Sequence, residues 1–174
     1  MQTIAPTLAI LKATPSIVRP LLESLGDDLL MRDYGEGTFN SYDVLGHLIL
    51  GERIDWLPRI RIVLEYGTTR TFDSFPWDGR DAQTAGMTIA DRLDVFEQLR
   101  TSNLSGLAHL ELTASDLDRS GMHPRFGEVT IYQLISTWGV HDLHHVAQMC
   151  KAVNYQFRDA IGPWRPHVNS IPSD

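Results

Sequence analysis

The chain has 174 residues, 43% of them hydrophobic and 21% charged, which is enough for one globular domain and unlike a disordered chain. Its 22 acidic and 15 basic side chains give a formal charge of −7, and because no basic run offsets it, nucleic acid is a poor partner. The single Cys150 excludes an intramolecular disulfide. Without a secretory signal or an apolar run of roughly 18 residues, the sequence predicts a cytoplasmic protein that does not enter a membrane.

The first two predicted helices both contain proline. The spacing of apolar residues predicts a helix from about Pro6 to Leu25, and its internal Pro15 and Pro20 predict a kink or a late start. A second helix is predicted from about Asn40 to Gly67, with a bend near Pro58. Both segments are long enough to form sides of a helical bundle.

The connection after the second helix is long and aromatic. About twenty residues, 68–86, separate it from the next helix and include Phe72, Phe75, Pro76 and Trp77. Since so long a loop is uncommon in a compact domain, we expect it to fold over the domain or to cover a pocket.

Two more helices complete the predicted architecture. The third is expected from Thr88 to about Leu110 and the fourth from Thr130 to about Tyr155. Residues 113–129 are predicted to be mostly loop, with one helical turn at Ala114–Leu117 and a short strand around Glu128–Val129. The chain is therefore predicted to be all-α, with a single four-helix bundle domain over residues 1–174.

The last helix carries three histidines within the stretch WGVHDLHHVAQ, residues 138–148. At about 100° per residue, His145 falls within the apolar face and His141 at its edge, whereas His144 points away. Two imidazoles one helical turn apart can bind a single metal ion. The alternative is that they are core-edge histidines with ordinary hydrogen bonds.

His47 lies in the apolar run DVLGHLIL of the second helix. A buried imidazole without a partner costs a few kcal/mol, which a metal or a carboxylate would relieve. Helical bundles build metal sites from side chains on facing helices, so His47 together with His141 and His145 favours a shared site.

Four sequence segments resemble the DinB/YfiT-like superfamily of metal-dependent enzymes: VLGHL, GMHPRFGEVTIYQLI, HDLHHVAQ and GPW. This resemblance implies an up-down-down-up four-helix bundle with a mononuclear site whose ligands would be His47, His141 and His145. It also implies thiol chemistry, since members include bacillithiol S-transferases and a mycothiol-dependent maleylpyruvate isomerase. Several members form homodimers, which makes a homodimer the expected assembly.

The predicted function is that of a metal-dependent enzyme acting on a small molecule. Zinc is the first choice of metal and nickel the second, because both suit nitrogen ligands. Three protein ligands leave a position where water could be activated for hydrolysis or a low-molecular-weight thiol ionised for transfer. No obvious glutamate base accompanies the histidines, which favours a thiol S-transferase. The alternative is a non-catalytic metal-binding dimer with a sensory or structural role.

Several other side chains have two interpretations each. Gln148 can hydrogen-bond a ligand or water, or be a plain surface amide, and Asp142 on the apolar face can orient a ligand imidazole or pair with an arginine from another helix. Glu52 can reach the pocket or form an exposed ion pair. His123 and His167, next to prolines in loops, are interpreted as surface residues.

Overall fold

The computed structural model describes residues 3–76 and 82–171, so the expectation for Trp77 lies outside the described residues. Within them no helix has the length and apolarity of a membrane span. Short 3-10 turns lie at Gly67–Thr69, Ala82–Thr84 and Gly162–His167. The helices and strands of this part are α1 (Ala5–Glu23), α2 (Asp27–Leu30), α3 (Ser41–Ile54), α4 (Trp56–Tyr66), α5 (Ile89–His109), α6 (Ala114–Leu117), β1 (Ser120–His123), β2 (Gly127–Thr130) and α7 (Ile131–Gln156).

Four long sides form the bundle: α1, the pair α3 and α4, α5, and α7. Helix α1 packs between α7 and α5, and α3 packs between the same two helices. Helices α1 and α5 are antiparallel, because Arg19 bonds Asp94 whereas Leu11, earlier in α1, accepts from Arg100, later in α5. Because α1 and α3 both pack against α7 and α5, these two sides lie across the bundle from each other although they follow one another in the chain.

The remaining directions follow from bonds made by α3. It runs parallel to α5, since Arg92 donates to the Tyr42 carbonyl and Asn103 donates to the carbonyl of Glu52. It runs antiparallel to α7, since Trp138 near the start of α7 donates to Glu52 near the end of α3. The bundle is thus up-down-down-up, as predicted.

Side-chain caps set the starts of three long helices. Asn40, Thr88 and Thr130 each accept a hydrogen bond from the backbone N–H three residues later. Such caps satisfy one of the N–H groups that a helix leaves without a partner. The predicted starts near these residues are confirmed.

The prolines agree with the prediction only in part. Helix α1 begins at Ala5 and spans Pro15 and Pro20, so the late start is wrong. The second side breaks at Asp55, three residues before Pro58, so the bend predicted near Pro58 is confirmed. Pro58 lies in the first turn of α4, where its missing N–H removes no intrahelical bond.

A β-hairpin occupies much of the segment that was predicted to be loop. The strand around Glu128–Val129 is confirmed as β2, and the turn at Ala114–Leu117 is confirmed as α6, but β1 was not predicted. Strand β1 packs tightly on α4, because a Cβ added to Gly121 would lie 2.5 Å from Val63 Cγ2. The Phe72 N–H also donates to the Met122 carbonyl, which ties the long loop to the hairpin.

The core has two apolar clusters with a polar layer between them. Each side of the bundle contributes buried polar residues between the two clusters: Thr14, Glu52, Asp55, Arg100, Asp142 and His145. One cluster comprises Leu11, Trp56, Leu57, Ile60, Val63, Phe72, Leu107, Leu117, Ile131, Leu134, Ile135 and Trp138. The other comprises Val18, Leu22, Leu30, Val44, Leu45, Leu48, Ile49, Leu93, Phe96 and Met149.

Candidate metal centre

Three imidazoles meet between α3 and α7. The Nε2 atom of His141 lies 3.0 Å from Nε2 of His47 and 3.0 Å from Nε2 of His145. One ring nitrogen from each of the three lies within 4.8 Å of the other two. The structure thus brings together the three histidines that the sequence analysis singled out.

Their convergence follows from the packing of the two helices. His141 and His145 are one turn apart on α7, and the antiparallel α3 presents His47 to them. His145 is 8% exposed, whereas His144 is exposed and does not join the cluster. The helical-wheel prediction separated His144 in the same way.

A hydrogen bond fixes the tautomer of His145. Its Nδ1 lies 2.7 Å from Oε1 of Gln148, an acceptor, so the proton is on Nδ1 and the Nε2 lone pair is free. Burial, with the nearby His47, lowers the pKa of His145 to about 4. Burial and the neighbouring His145 and His47 lower the pKa of His141 to about 2. Both rings are therefore neutral near pH 7, the form that binds metals.

The spacing of the nitrogens suits a shared cation. Nitrogens about 2.0–2.1 Å from a tetrahedral zinc ion lie about 3.3 Å from one another, close to the 3.0 Å spacing here. Without a cation the arrangement is poorly satisfied, because Nε2 of His141 carries at most one proton and can donate to only one of the two nitrogens that lie 3.0 Å from it. The donor set and its geometry fit a divalent metal.

A buried ionic network lies beside the histidines. Arg100 donates to Asp142 Oδ2 at 2.6 Å and to Oδ1 at 2.9 Å, and to Glu52 Oε1 at 2.8 Å. Glu52 also accepts from Trp138 at 2.8 Å and from Asn103 at 2.9 Å. Burial raises the pKa of Glu52, and the adjacent Arg100 opposes that rise.

This network decides between two pairs of interpretations. Asp142 pairs with an arginine of another helix, which is the second of its two alternatives. Glu52 is buried and paired with Arg100, so its interpretation as part of an exposed ion pair is wrong. Gln148 contacts a ring of the cluster rather than facing solvent alone.

An open cavity of about 590 Å³ adjoins the cluster at His47. The predicted covering loop contributes to it, because Phe75 packs edge-on against His47 with ring centroids 5.3 Å apart. On another side Trp56 contacts the ring of His141 at 5.0 Å. A pocket of this volume accommodates a small organic molecule.

One carboxylate within the cavity wall has an unusual environment. Asp55, at the break between α3 and α4, pairs with Arg59 at 2.5 Å. Burial raises the pKa of Asp55 to about 6, although Arg59 opposes the rise. This carboxyl group can therefore exchange a proton close to neutral pH.

The sequence pattern of the DinB superfamily matches residues 10–149. The chain belongs to the DinB superfamily. The resemblance inferred from the histidine segments is thereby confirmed. A comparison with curated protein sequences gives no match to this DinB chain.

Two solved structures share the fold of this DinB protein. YfiT from Bacillus subtilis, described as a probable metal-dependent hydrolase with an unusual four-helix bundle topology, has a TM-score of 0.74 and 18% sequence identity, covering 88% of this chain and 87% of YfiT. TT2238, described as a four-helix bundle protein, has a TM-score of 0.58 and 18% identity, covering 83% of this chain and 95% of that protein. At this identity the likeness shows the fold alone.

Sequence reasoning missed two features of this DinB site. Arg100 continues the apolar spacing of Leu93, Phe96 and Leu107, so a charge on a buried face was the signal that could have revealed it. His123, interpreted as a surface residue, is half-buried and lines the cavity. The unpredicted β1 explains this error, because the hairpin carries His123 over the pocket.

Proposed function

We propose that this chain is a metal-dependent hydrolase of small molecules, with His47, His141 and His145 as the ligands of one divalent cation. Zinc is the first choice of cation and nickel the second, since both bind imidazole. The observation that carries the proposal is the convergence of three Nε2 atoms beside an open cavity. The description of YfiT as a probable metal-dependent hydrolase supports the reaction class.

When bound, the cation would supply Lewis acidity and lower the pKa of a water or thiol at its open position. The side chains around the site would orient the ligands and the substrate, limit the access of water and accept a proton. Gln148 holds the His145 ring, Phe75 and Trp56 limit the access of bulk water, and the cavity orients the substrate. Asp55, with its pKa of about 6, can accept a proton inside the cavity.

Transfer of a small thiol is the second candidate for the same site. Its support is that the buried carboxylates of α3 and α7, the helices that carry the histidines, are both bonded to Arg100 and are therefore poor general bases: Glu52 and Asp142. A thiol ionised at a metal needs no such base. The non-catalytic alternative is less favoured, because a structural site is closed and this cluster adjoins an open cavity.

Turnover after metal removal and reloading tests the proposal. Metal-depleted protein, reloaded with zinc or nickel, would be assayed on a panel of chromogenic esters and amides, and on an electrophile with added small thiol. We expect metal-dependent hydrolysis that His145→Ala abolishes and that the control His144→Ala retains. Turnover only with added thiol would replace hydrolysis by S-transfer, and metal binding without any turnover would support the non-catalytic module.

The assembly and location stay predictions. A homodimer is expected from the family resemblance, and a cytoplasmic location is proposed because a single cysteine fits a reducing compartment. Light scattering of the purified protein measures the first, and a mass near that of two chains, each 19.6 kDa, is the expected result.

A further inference from the structure

We propose that the cavity binds an organic monocarboxylate with an aromatic body, and that its carboxylate is held at the hairpin by His123, Arg125 and Arg59. This inference rests on the proposed function only for the chemistry at the end of the cavity that adjoins His47. The recognition of the carboxylate is a separate property and is tested separately below.

The hairpin turn prepares His123 as a hydrogen-bond donor. Its Nδ1 accepts the backbone N–H of Arg125 at 3.1 Å and of Phe126 at 3.2 Å, so the ring proton lies on Nε2. The ring stacks on Phe126 with centroids 4.5 Å apart, which fixes its orientation. The remaining Nε2–H belongs to a residue of the cavity wall.

Two guanidinium groups accompany this donor. Arg59 and Arg125 both line the cavity with His123. The Arg59 guanidinium lies 5.4 Å from the centroid of the Phe72 ring, which contacts His123 edge-on with centroids 6.2 Å apart. Arg59 is paired with Asp55, whereas Arg125 forms no ion pair with any residue in the described ranges. Among the described residues of the wall, one positive charge is thus left over, in a protein whose net charge is −7.

The charge and the donors fit a carboxylate better than a phosphate. One uncompensated positive charge matches a monoanion, whereas a phosphate monoester carries about −1.5 to −2 near neutral pH. Arg125 offers a planar pair of N–H groups that suits the two carboxylate oxygens. His123 adds a neutral donor from the same turn.

The rest of the cavity is suited to an apolar body. Between the hairpin and the histidine cluster the wall is mainly aromatic and aliphatic. Ring edges and faces of this kind favour an aryl group over a sugar or other polar body. The residues are Phe39, Trp56, Phe75, Phe126, Val129 and Leu134.

Binding of matched compounds tests the inference. Titrations with 4-phenylbutyrate, its uncharged amide 4-phenylbutyramide, and butyrate would be followed by calorimetry on the metal-loaded protein. We expect the acid to bind about 5- to 10-fold more tightly than the amide. This ratio corresponds to the contribution of a charge-assisted hydrogen bond, reduced because Arg125 is exposed to solvent. Butyrate should bind more weakly than the aryl acid.

Variants assign the preference to the hairpin. Arg125→Ala should remove most of the preference for the acid and Arg125→Lys should keep part of it, whereas the control Arg32→Ala, an exposed arginine paired with Asp28, should leave it unchanged. A preference that survives Arg125→Ala, or tighter binding of phenyl phosphate than of the acid, would overturn the inference.

One further variant separates this inference from the proposed function. In His145→Ala the metal site is removed, and the preference for the acid should persist because it resides at the hairpin. A preference that disappears in His145→Ala would place the carboxylate at the cluster and contradict the inference. Loss of metal-dependent turnover with a retained preference would overturn only the proposed function.

Discussion

At the scale of single residues, His145 shows how one hydrogen bond decides what an imidazole can bind. Its Nδ1–H donates to Gln148, which leaves Nε2 as a bare lone pair facing two other Nε2 atoms. In water the two tautomers would interconvert freely. Here the glutamine selects the one that can bind a cation.

Replacing Gln148 by leucine should weaken metal binding. The change removes the acceptor of the His145 Nδ1–H and keeps a side chain of similar size, so we expect affinity for zinc to fall about 10- to 100-fold. Competition against a chromophoric chelator measures this. Gln148→Glu should retain the affinity, because the acceptor remains.

The control for this change is Gln98→Leu, at an exposed position on α5. It should bind zinc like the parent protein. Equal affinity in Gln148→Leu and Gln98→Leu would mean that helix packing alone orients the His145 ring.

At the scale of the elements, α1 and α7 approach each other closely at Gly139. A Cβ added there would lie 2.6 Å from Cγ2 of Thr7, while the Cα and Cβ of Thr7 remain at an ordinary 3.6 Å. The contact lies half a turn before His141, so it helps to set where α7 presents the histidines. One small residue therefore determines the distance between two sides of the bundle.

The variant Gly139→Ala should destabilise the fold through this contact. Overpacking of this kind costs about 1–3 kcal/mol, which exceeds the gain in helix propensity of about 1 kcal/mol. Urea unfolding followed by circular dichroism measures the change. The double variant with Thr7→Ser removes the clashing methyl group and should recover the lost stability.

The control for Gly139→Ala is the same substitution at Gly26. Gly26→Ala places its Cβ in open space and changes only the N-cap of the four-residue α2, so it should cost about 0.5 kcal/mol, less than Gly139→Ala. If Gly139→Ala is as stable as the parent, or if Thr7→Ser does not rescue it, the close approach of α1 and α7 is not as described.

The elements also show how far sequence reasoning reaches. The four long helices and their caps were predictable, because apolar spacing and side chains such as Thr88 and Thr130 are local signals. Strand β1 was not, because the four residues of Ser120–His123 are stabilised by pairing with β2 and by packing on α4. The cavity wall depends on that tertiary contact, so its His123 and Arg125 could not be found from local patterns.

At the scale of the whole molecule, a charged layer connects the sides of the bundle. Arg100 on α5 bonds Glu52 on α3, Asp142 on α7 and the Leu11 carbonyl on α1. Because one guanidinium satisfies groups from three other helices, it fixes their relative positions where the histidines meet. Its side chain is only 2% exposed.

Removal of Arg100 should therefore destabilise the molecule severely. Arg100→Met leaves two buried carboxylates without a cation, which typically costs about 3–5 kcal/mol. The comparison is Arg19→Met, since Arg19 also joins α1 to α5 but pairs with the more exposed Asp94 and Glu97. That change should cost about 1 kcal/mol or less.

Urea unfolding of both variants measures the difference. A large loss for Arg100→Met and a small one for Arg19→Met is the expected result. Equal losses would show that the buried network contributes no more to stability than a surface ion pair.

Metal content tests the central claim most directly. Parent protein, His145→Ala and His144→Ala would be dialysed against the same dilute zinc solution, and then against nickel, and their bound metal measured by elemental analysis. We expect about one metal per chain in the parent and in His144→Ala, with a large loss in His145→Ala. Equal metal content in all three proteins would contradict a site formed by His47, His141 and His145.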